Sequence, residues 1–112
     1  MNIVITKHSQ AIAIVKPNAQ FDASDAPNVQ QGLNDLLAKG FINFVVDLTD
    51  ISFMDSAAMA VLVGLLKQAR EKGGYVKLVW PKREAAQHML TLTRFDRVFE
   101  MIDSVEAATK NS

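Results

Sequence analysis

The alternation of short β-branched segments with longer helical segments most constrains the fold of this chain. Apolar runs typical of strands occur at 3–5, 11–15, 41–48, 75–80 and 98–102. Helical spacing fills about 25–39, 56–72 and 82–92, and a short segment follows 103. The order β-β-α-β-α-β-α-β-α predicts an α/β fold, because helical crossovers join parallel strands. We expect a central mixed sheet of four to five strands covered by about four helices.

Capping residues indicate where the first helix begins and ends. Ser24, Asp25 and Pro27 form a helix start, since proline is tolerated in the first turn. Gly40 suits the position just after the helix end, where a left-handed backbone is common.

Three further local features are predicted towards the ends of the chain. Asp103 and Glu106 have the spacing of a capping box for a last short helix. The polar break at 7–10 predicts the turn of the first hairpin. The polar end from about residue 109 is expected to fray.

Composition excludes several classes of protein. With 112 residues and no cysteine, the chain has room for one domain, 1–112, and no disulfide framework or cysteine-type metal site. Twelve basic residues balance twelve acidic ones, which argues against nucleic-acid binding. The longest apolar run, 57–63, is far shorter than the ~20 residues of a membrane span, and no signal peptide is recognisable. We expect a cytoplasmic protein that does not insert into membranes.

The helix that begins at Ser56 is apolar almost all round. Such a helix should be buried on every side, which a domain of this size cannot easily provide. The first turn with Met59 is therefore either covered by a partner or tucked under neighbouring loops. Ala57, Ala60 and Gly64 share one face, and small residues of this kind let a helix lie close on a sheet.

Ser56 itself lies where a phosphate would be stabilised. The first N–H groups of a helix have no internal partners, and the helix dipole favours negative charge there. A phosphoserine would add a charge of about −1.5 to −2. Alternatively, Asp55 or Ser56 is an ordinary N-cap that contributes ~1 kcal/mol. Spacing alone leaves both interpretations open.

A catalytic serine is a further alternative, and the sequence argues against it. Ser56 follows a strand as in a nucleophile elbow, but Met54 and Ala58 occupy the positions of the two glycines. Only His8 and His88 could act as the base, and neither lies in a motif. The sequence contains no P-loop, dinucleotide fingerprint or metal-ligand cluster. We expect a protein that is not an enzyme and that binds no metal or cofactor.

Several segments together carry a resemblance to a known family. They are Val45-Val46-Asp47-Leu48, Phe53-Met54-Asp55-Ser56-Ala57-Ala58-Met59, Leu62-Val63-Gly64-Leu65-Leu66, Ala19-Gln20-Phe21-Asp22, Gly73-Gly74 and Leu92-Thr93-Arg94-Phe95-Asp96-Arg97-Val98-Phe99. They resemble bacterial anti-sigma factor antagonists, which are STAS domains (sulfate transporter and anti-sigma factor antagonist). The resemblance covers nearly the whole chain.

The resemblance implies a phosphorylation switch. In this family the serine matching Ser56 is phosphorylated by an anti-sigma factor that is also an ATP-dependent serine kinase. The unphosphorylated protein binds the anti-sigma factor and so releases the sigma factor, whereas the phosphorylated protein does not bind. A serine phosphatase of the PP2C type resets the switch. ATP would be used by the kinase, so the chain itself would need no cofactor.

The resemblance also implies a partner-binding surface. Its residues would be Asp22, Ser24, Asp55, Ser56, Ala57, Ala58 and Met59. Asp55 would orient or cap the acceptor, and Asp22 would contact the partner. The family commonly has glycine where this chain has Ala58, and often where it has Ala19. The methyl of Ala58 is expected to lie where kinase and helix approach, and so to affect docking.

A different kind of STAS module is the main alternative. Such domains also serve in membrane lipid transporters, in stress-signalling scaffolds and as transporter tails, where they dock a partner without a serine switch. The retained pair Asp55-Ser56 favours the switch, because a scaffold has less need of a hydroxyl there.

Overall fold

Seven strands form in the computed structural model, which describes residues 1–7 and 11–109. They are β1 (Asn2–Lys7), β2 (Ala11–Lys16), β3 (Gln20–Phe21), β4 (Asn43–Asp47), β5 (Phe53–Met54), β6 (Tyr75–Val79) and β7 (Glu100–Ile102). Five of them make one sheet in the order β1-β2-β4-β6-β7. Only the β1–β2 pair within this sheet is antiparallel. β3 and β5 pair in parallel with each other as a separate two-stranded sheet.

Five helices lie within the described residues. They are α1 (Ala26–Ala38), α2 (Ser56–Glu71), α3 (Glu84–Leu92), α4 (Phe95–Val98) and α5 (Val105–Thr109). The predicted α/β fold with a mixed sheet is therefore confirmed. None of these helices is long and apolar enough to cross a membrane.

The two faces of the main sheet are covered by different helices. Successive residues of a strand point to opposite faces, so Ala13 and Val15 of β2 face one side and Ile14 the other. The first side carries the larger core, which includes buried residues from α1, α2, α3 and α4. The second side carries a smaller cluster that Ala108 of α5 joins. β4 is central and contributes to both cores, as its near-continuous apolar sequence predicts.

Two glycines are required at the crossover from α2 to β6. Gly73 follows the C-terminal end of α2 with a φ of +83°, a conformation that L residues with a Cβ adopt only with strain. Gly74 passes directly beside Ile42, and a Cβ at this position would overlap the Ile42 carbonyl group. The N–H of the next residue, Tyr75, donates to that same carbonyl oxygen at 3.1 Å. The close approach thus starts the pairing of β6 with β4.

The predicted strand 98–102 is too long at its beginning. Val98 belongs to α4, and β7 covers only Glu100–Ile102. α4 begins after Arg94, whose φ is +66°. The aromatic rings of Phe95 and Phe99 pack with centroids 5.2 Å apart, and both side chains are buried in the larger core. Burial of these rings at helical spacing overrides the β-branched pattern of the segment.

The predicted capping box at Asp103 and Glu106 is also wrong, by one residue. α5 is capped by Ser104, whose hydroxyl oxygen accepts a hydrogen bond from the Ala107 N–H at 3.0 Å. Serine and aspartate are both good N-caps, so the sequence Asp-Ser leaves the choice to the geometry of the preceding strand. Of the hairpin turn predicted at 7–10, Lys7 belongs to β1, and 8–10 lie outside the described residues. Of the end predicted to fray from about 109, Thr109 is the last residue of α5, and 110–112 lie outside the described residues.

Candidate functional site

The serine singled out by sequence lies at the junction of β5 and α2. β5 ends at Met54, which is buried, and the chain then passes through Asp55 in an extended conformation into the first turn of α2. Ser56 is the first residue of the helix, and its side chain is exposed to solvent. The N–H groups of Ser56 and Ala57 precede the first intrahelical hydrogen bond, which runs from the Met59 N–H to the Asp55 carbonyl oxygen at 3.1 Å.

Asp55 uses both carboxylate oxygens to join two parts of the chain. Its Oδ1 accepts a hydrogen bond from the Ala58 N–H at 3.0 Å and so caps α2. Its Oδ2 accepts a hydrogen bond from the Ala23 N–H at 2.8 Å, across 32 positions of sequence. Hydrogen bonds to an ionised acceptor are stronger than neutral ones. The start of α2 and the loop at 22–25 are thereby held together.

The loop at 22–25 has its own internal order. The Asp22 carboxylate accepts hydrogen bonds from the Ser24 hydroxyl at 2.7 Å, the Ser24 N–H at 3.0 Å and the Gln20 side-chain amide at 2.9 Å. These donors stabilise the charged form, so the Ser24 hydroxyl, followed by the Gln20 amide, lowers the pKa of Asp22. The Asp22 carbonyl oxygen accepts from the N–H groups of Asp25 and Ala26, which leads directly into α1.

The small sheet fixes this loop beside Ser56. β3 and β5 pair with Phe21 opposite Met54, and both side chains are buried in the main core. The N–H of Asp55 also donates to the Phe21 carbonyl oxygen at 3.4 Å. Asp22 and Asp55 thus follow directly after neighbouring parallel strands, and Ser24 reaches the same rim of the molecule through its bond to Asp22. The structure brings together the predicted residues of the two segments.

Sequence reasoning missed two residues of this rim. Phe53 is half exposed, at 50%, in the strand that leads to Ser56. Ala23 supplies the N–H that binds Asp55. Alternation within β5 is the signal that could have found Phe53, because its neighbour Met54 is buried and successive side chains of a strand point to opposite sides. No side-chain signal marks Ala23, since only its backbone takes part.

One predicted partner-binding residue is corrected by its burial. Ala58 is 0% exposed, and its methyl group points into the core. It therefore does not face an approaching protein, contrary to the expectation that this methyl affects docking. The N–H of Ala58 still matters, because it is the donor that Asp55 caps. Met59 and Ala57 are partly buried and pack against the same core, so only part of each side chain is available at the surface.

The small face of α2 is also placed differently from the prediction. Ala60 is exposed and Gly64 is open on its outer side, whereas Val61, Leu62 and Leu65 are buried against the sheet and α1. Five of the exposed residues make a continuous line along the helix, which we call the outer stripe: Ser56, Ala60, Val63, Lys67 and Arg70. Val63 is 45% exposed. The apolar excess of this helix is thus partly turned to solvent, next to the serine.

The sequence argued against a catalytic base and a metal-ligand cluster. His88 lies exposed on α3, and His8 is outside the described residues. No group of three or more His, Asp or Glu side chains in residues 1–7 and 11–109 is arranged to hold a metal ion. What the site offers is an exposed hydroxyl at a helix N-terminus, with apolar and acidic side chains around it.

Comparison with known proteins assigns the chain to a family. The family model of the STAS domain matches residues 3–108. A protein of Thermotoga maritima, proposed to be an anti-sigma factor antagonist, is 30% identical over 98 residues, which cover 87% of this chain and 86% of that protein. A crystal structure of a Thermotoga maritima protein with the same proposed role superposes with a TM-score of 0.85 at 26% identity, covering 97% of this chain and 92% of that one.

A third relative is similar in fold at low identity. The anti-sigma factor antagonist SpoIIAA in its unphosphorylated form gives a TM-score of 0.72 at 14% identity, covering 98% of this chain and 94% of that one. The Bacillus SpoIIAA in its phosphorylated form gives a TM-score of 0.69 at 11% identity, covering 99% of this chain and 100% of that one. At these identities the likeness shows the fold alone. The family match and the relatives together show that this chain belongs to the STAS domain family of anti-sigma factor antagonists.

Proposed function

We propose that this protein binds an anti-sigma factor with serine-kinase activity, and that phosphorylation of Ser56 abolishes the binding. The proposal depends on one observation, which is that Asp55 and not Ser56 caps α2, so the Ser56 side chain is left exposed. Asp55 caps α2 and holds the neighbouring loop, whereas the Ser56 side chain is exposed at the same helix start. Ser56 is thus accessible to a kinase while the capping of the fold rests on its neighbour.

A phosphate on Ser56 is compatible with the folded protein. The N–H groups of Ser56 and Ala57 point out of the helix start, where the dipole favours an anion. The helix N-terminus would therefore stabilise the phosphate charge of about −1.5 to −2 at this position. The effect of the phosphate is expected on the surface and not on the core.

The surface around Ser56 explains how the phosphate would act on a partner. Phe53 is half exposed and Met59 is partly exposed, so a partner that covers Ser56 also buries apolar area. A phosphate in the middle of such an interface must be desolvated, and this is unfavourable unless the partner pairs it. The carboxylates of Asp55 and Asp22 already make this rim acidic, so the phosphate would increase the repulsion of acidic groups on a partner. Phosphorylation of Ser56 alone would thereby abolish binding of the partner.

The loop at 22–25 is proposed as the second part of the binding surface. It is ordered by Asp22 and tied to the helix start by Asp55, so both parts are presented in one fixed arrangement. Preorganised surfaces lose less conformational entropy on binding. We assign partner contact to Asp22, Ser24, Asp55, Ser56, Ala57 and Met59, and to Phe53.

Relatives support this proposal in two ways. The Thermotoga maritima protein is named for antagonism of an anti-sigma factor. SpoIIAA, which shares the fold, is known in both an unphosphorylated and a phosphorylated form. By this proposal the chain itself uses no cofactor, ATP is consumed by the kinase, and a PP2C-type serine phosphatase regenerates the binding form.

Phosphorylation in vitro tests the proposal. The purified protein would be incubated with ATP, Mg²⁺ and each anti-sigma factor of the organism that has a kinase domain, and the sites would be read by mass spectrometry. We expect label on Ser56 alone, and no label on Ser56→Ala. Ser52→Ala is the matched control, because Ser52 is also exposed and lies four residues earlier. Labelling of Ser52 in place of Ser56 would contradict the proposed acceptor. Stable binding without any labelling would instead support a scaffold that docks partners without a switch.

A further inference from the structure

We propose that two copies of this chain pair along β1 to form a two-fold symmetric dimer with one continuous sheet of ten strands. In such a dimer the two β1 strands run antiparallel at the dimer axis. The interface is distinct from the surface around Ser56, so this inference does not depend on the proposed function.

β1 is an open edge of the sheet. It is the terminal strand of the order β1-β2-β4-β6-β7, and it pairs with β2 alone among the described strands. Its register with β2 is continuous from Asn2 to Lys7, without a bulge or a proline. The N–H and C=O groups on its outer side are therefore a regular template for another strand.

The opposite edge of the sheet is shorter than β1 and is packed against two helices, although each edge strand carries one charged residue. β7 has three residues, against six in β1, and it contacts both α4 and α5. Its first residue, Glu100, is exposed and carries a charge. Short length and covering helices are among the usual means by which an edge avoids pairing. The contrast shows that the two edges of this sheet are not equivalent.

The side chains of β1 add an apolar surface to the open edge. Ile3 is 40% exposed and Val4 is 55% exposed, although both are β-branched and suited to the middle of a sheet. Their backbone positions alternate, so the two side chains lie on opposite faces of the strand. A second strand beside β1 would cover apolar area on both faces at once.

In the dimer, the second copy would cover one open side of a groove that lies next to Val4. It has a volume of about 300 Å³ and is lined by Asn2, Val4, Ile14, Lys16, Asp47 and Val105. It lies between β1 and α5 on the face that carries the smaller core. A neighbouring β1 would extend the sheet on the open side of this groove and shield Val4 from solvent.

The strand is complementary to itself in antiparallel orientation. Its sequence, Asn-Ile-Val-Ile-Thr-Lys, has one charged residue, and this is Lys7 at the end of the strand. A closed two-fold axis between identical edges requires antiparallel pairing, whereas parallel pairing would leave an open chain of molecules. Pairing centred on Val4 would place the two Lys7 residues ~20 Å apart, at opposite ends of the ladder. Like charges are thus kept apart and the apolar residues meet.

The proposed dimer leaves the serine surface free. α2 packs against β6 and α1, and β6 is separated from β1 by two strands. A six-residue ladder buries less area than the ~1,600 Å² of a standard stable interface. We therefore expect a weak dimer whose population depends on concentration.

Sedimentation equilibrium of the intact chain is the first test. We expect the mean mass to rise from monomer towards dimer between ~10 µM and ~1 mM, the range of a weak interface. Val4→Lys should keep the protein monomeric, because two lysines would face each other across the axis. Leu92→Lys is the matched control, since Leu92 is 68% exposed and lies on α3. A wild type that stays monomeric, or a Val4→Lys variant that dimerises like wild type, would overturn the proposal.

Cysteine cross-linking is the second test and does not rely on a destabilising charge. The natural chain has no cysteine, so each variant carries a single thiol. Residues opposite each other in an antiparallel pair have Cβ atoms ~4.5–5.5 Å apart, so a small shift of the strands brings them to the ~4.5 Å of a disulfide. We expect Val4→Cys to form disulfide dimers under mild oxidation much faster than Leu92→Cys at equal concentration. Equal rates for the two variants would contradict pairing at β1.

Discussion

The carboxylate of Asp55 accepts a hydrogen bond from the Ala23 N–H at 2.8 Å, and this bond ties the loop at 22–25 to the start of α2. The same side chain caps the helix through the Ala58 N–H. Asp55 therefore has a structural task, whereas Ser56 beside it is free to serve as a chemical signal. By the proposed function, stability and regulation rest on these adjacent residues, and mutations can separate them.

Replacement of Asp55 should reveal its structural task. Asp55→Ala removes the acceptor for two backbone donors, and we expect the free energy of unfolding to fall by ~1–2 kcal/mol. We expect a smaller decrease in the free energy of unfolding for Asp55→Asn. Its amide oxygen can still accept the hydrogen bond from the Ala58 N–H, whereas its NH₂ group cannot accept the one from the Ala23 N–H. Urea denaturation followed by circular dichroism measures both. Asp103→Ala, at an exposed aspartate after β7, is the control and should change stability little. Equal stability of Asp55→Ala and wild type would refute the role given to this carboxylate.

Two glycine-to-alanine variants should have opposite effects. Gly74→Ala forces a methyl group against the Ile42 carbonyl, and we expect a loss of more than ~2 kcal/mol because backbone has to move. Gly64→Ala meets open space in the interior of α2, and we expect a gain of ~0.5–1 kcal/mol from helix propensity. Thermal and urea unfolding of the pair give the comparison. A harmless Gly74→Ala would show that the crossover into β6 is not as close as described.

The left-handed residue between α3 and α4 offers a stabilising change. Arg94 has a φ of +66° and follows the C-terminal end of α3, a position that glycine favours. We expect Arg94→Gly to raise the free energy of unfolding by ~0.5–1 kcal/mol, since the Cβ penalty of this conformation disappears. Arg94→Ala retains the Cβ and serves as the control, with little change expected. If both variants altered stability equally, the effect would belong to the arginine side chain and not to the backbone.

Acid should loosen the loop at 22–25 in a defined pH range. The pKa of Asp22 is lowered below its ordinary value of 3.8, chiefly by the Ser24 hydroxyl. A lowered pKa means that the charged form stabilises the folded loop above pH 3.8, and that this contribution is lost as pH falls through the folded pKa. We expect the amide resonance of Ser24 to titrate with a midpoint below 3.8 in NMR spectra. The transition should vanish in Asp22→Asn, and a midpoint above 3.8 would contradict the hydrogen-bonded arrangement.

The order of elements was predictable because it depends on hydrophobic periodicity, which is local. The central position of β4 and the limits of α1 and α2 followed from the same pattern and from Gly40 and Gly73. β3 was not predicted, and β5 was recognised only as a short extended stretch before Ser56, since two-residue strands leave no periodic signal. Their pairing depends on contacts between Phe21 and Met54, which are far apart in sequence.

The candidate site was predictable in its chemistry but not in its exposure. Asp55 and Ser56 were recognisable from the strand-to-helix junction and from the family resemblance. The orientation of α2 was not, because a helix that is apolar on all sides gives no sign of which side faces the sheet. Consequently Ala58 was expected at the surface and is buried. Phe53, which lies on β5 and not on α2, was missed although alternation along that strand marks it. The hydrogen bond from the Ala23 N–H to Asp55 could not be predicted, because a backbone donor has no sequence signature.

The central claim is that phosphate on Ser56 decides whether the partner binds, and calorimetry with phosphorylated protein tests it most directly. Phosphoserine would be incorporated at position 56 during translation, and its binding to the purified anti-sigma factor compared with that of unmodified protein in the absence of ATP. We expect binding by the unmodified protein and at least a ~100-fold weaker affinity for the phosphorylated one, equivalent to ~2.7 kcal/mol. Equal affinities for the two forms would contradict the account.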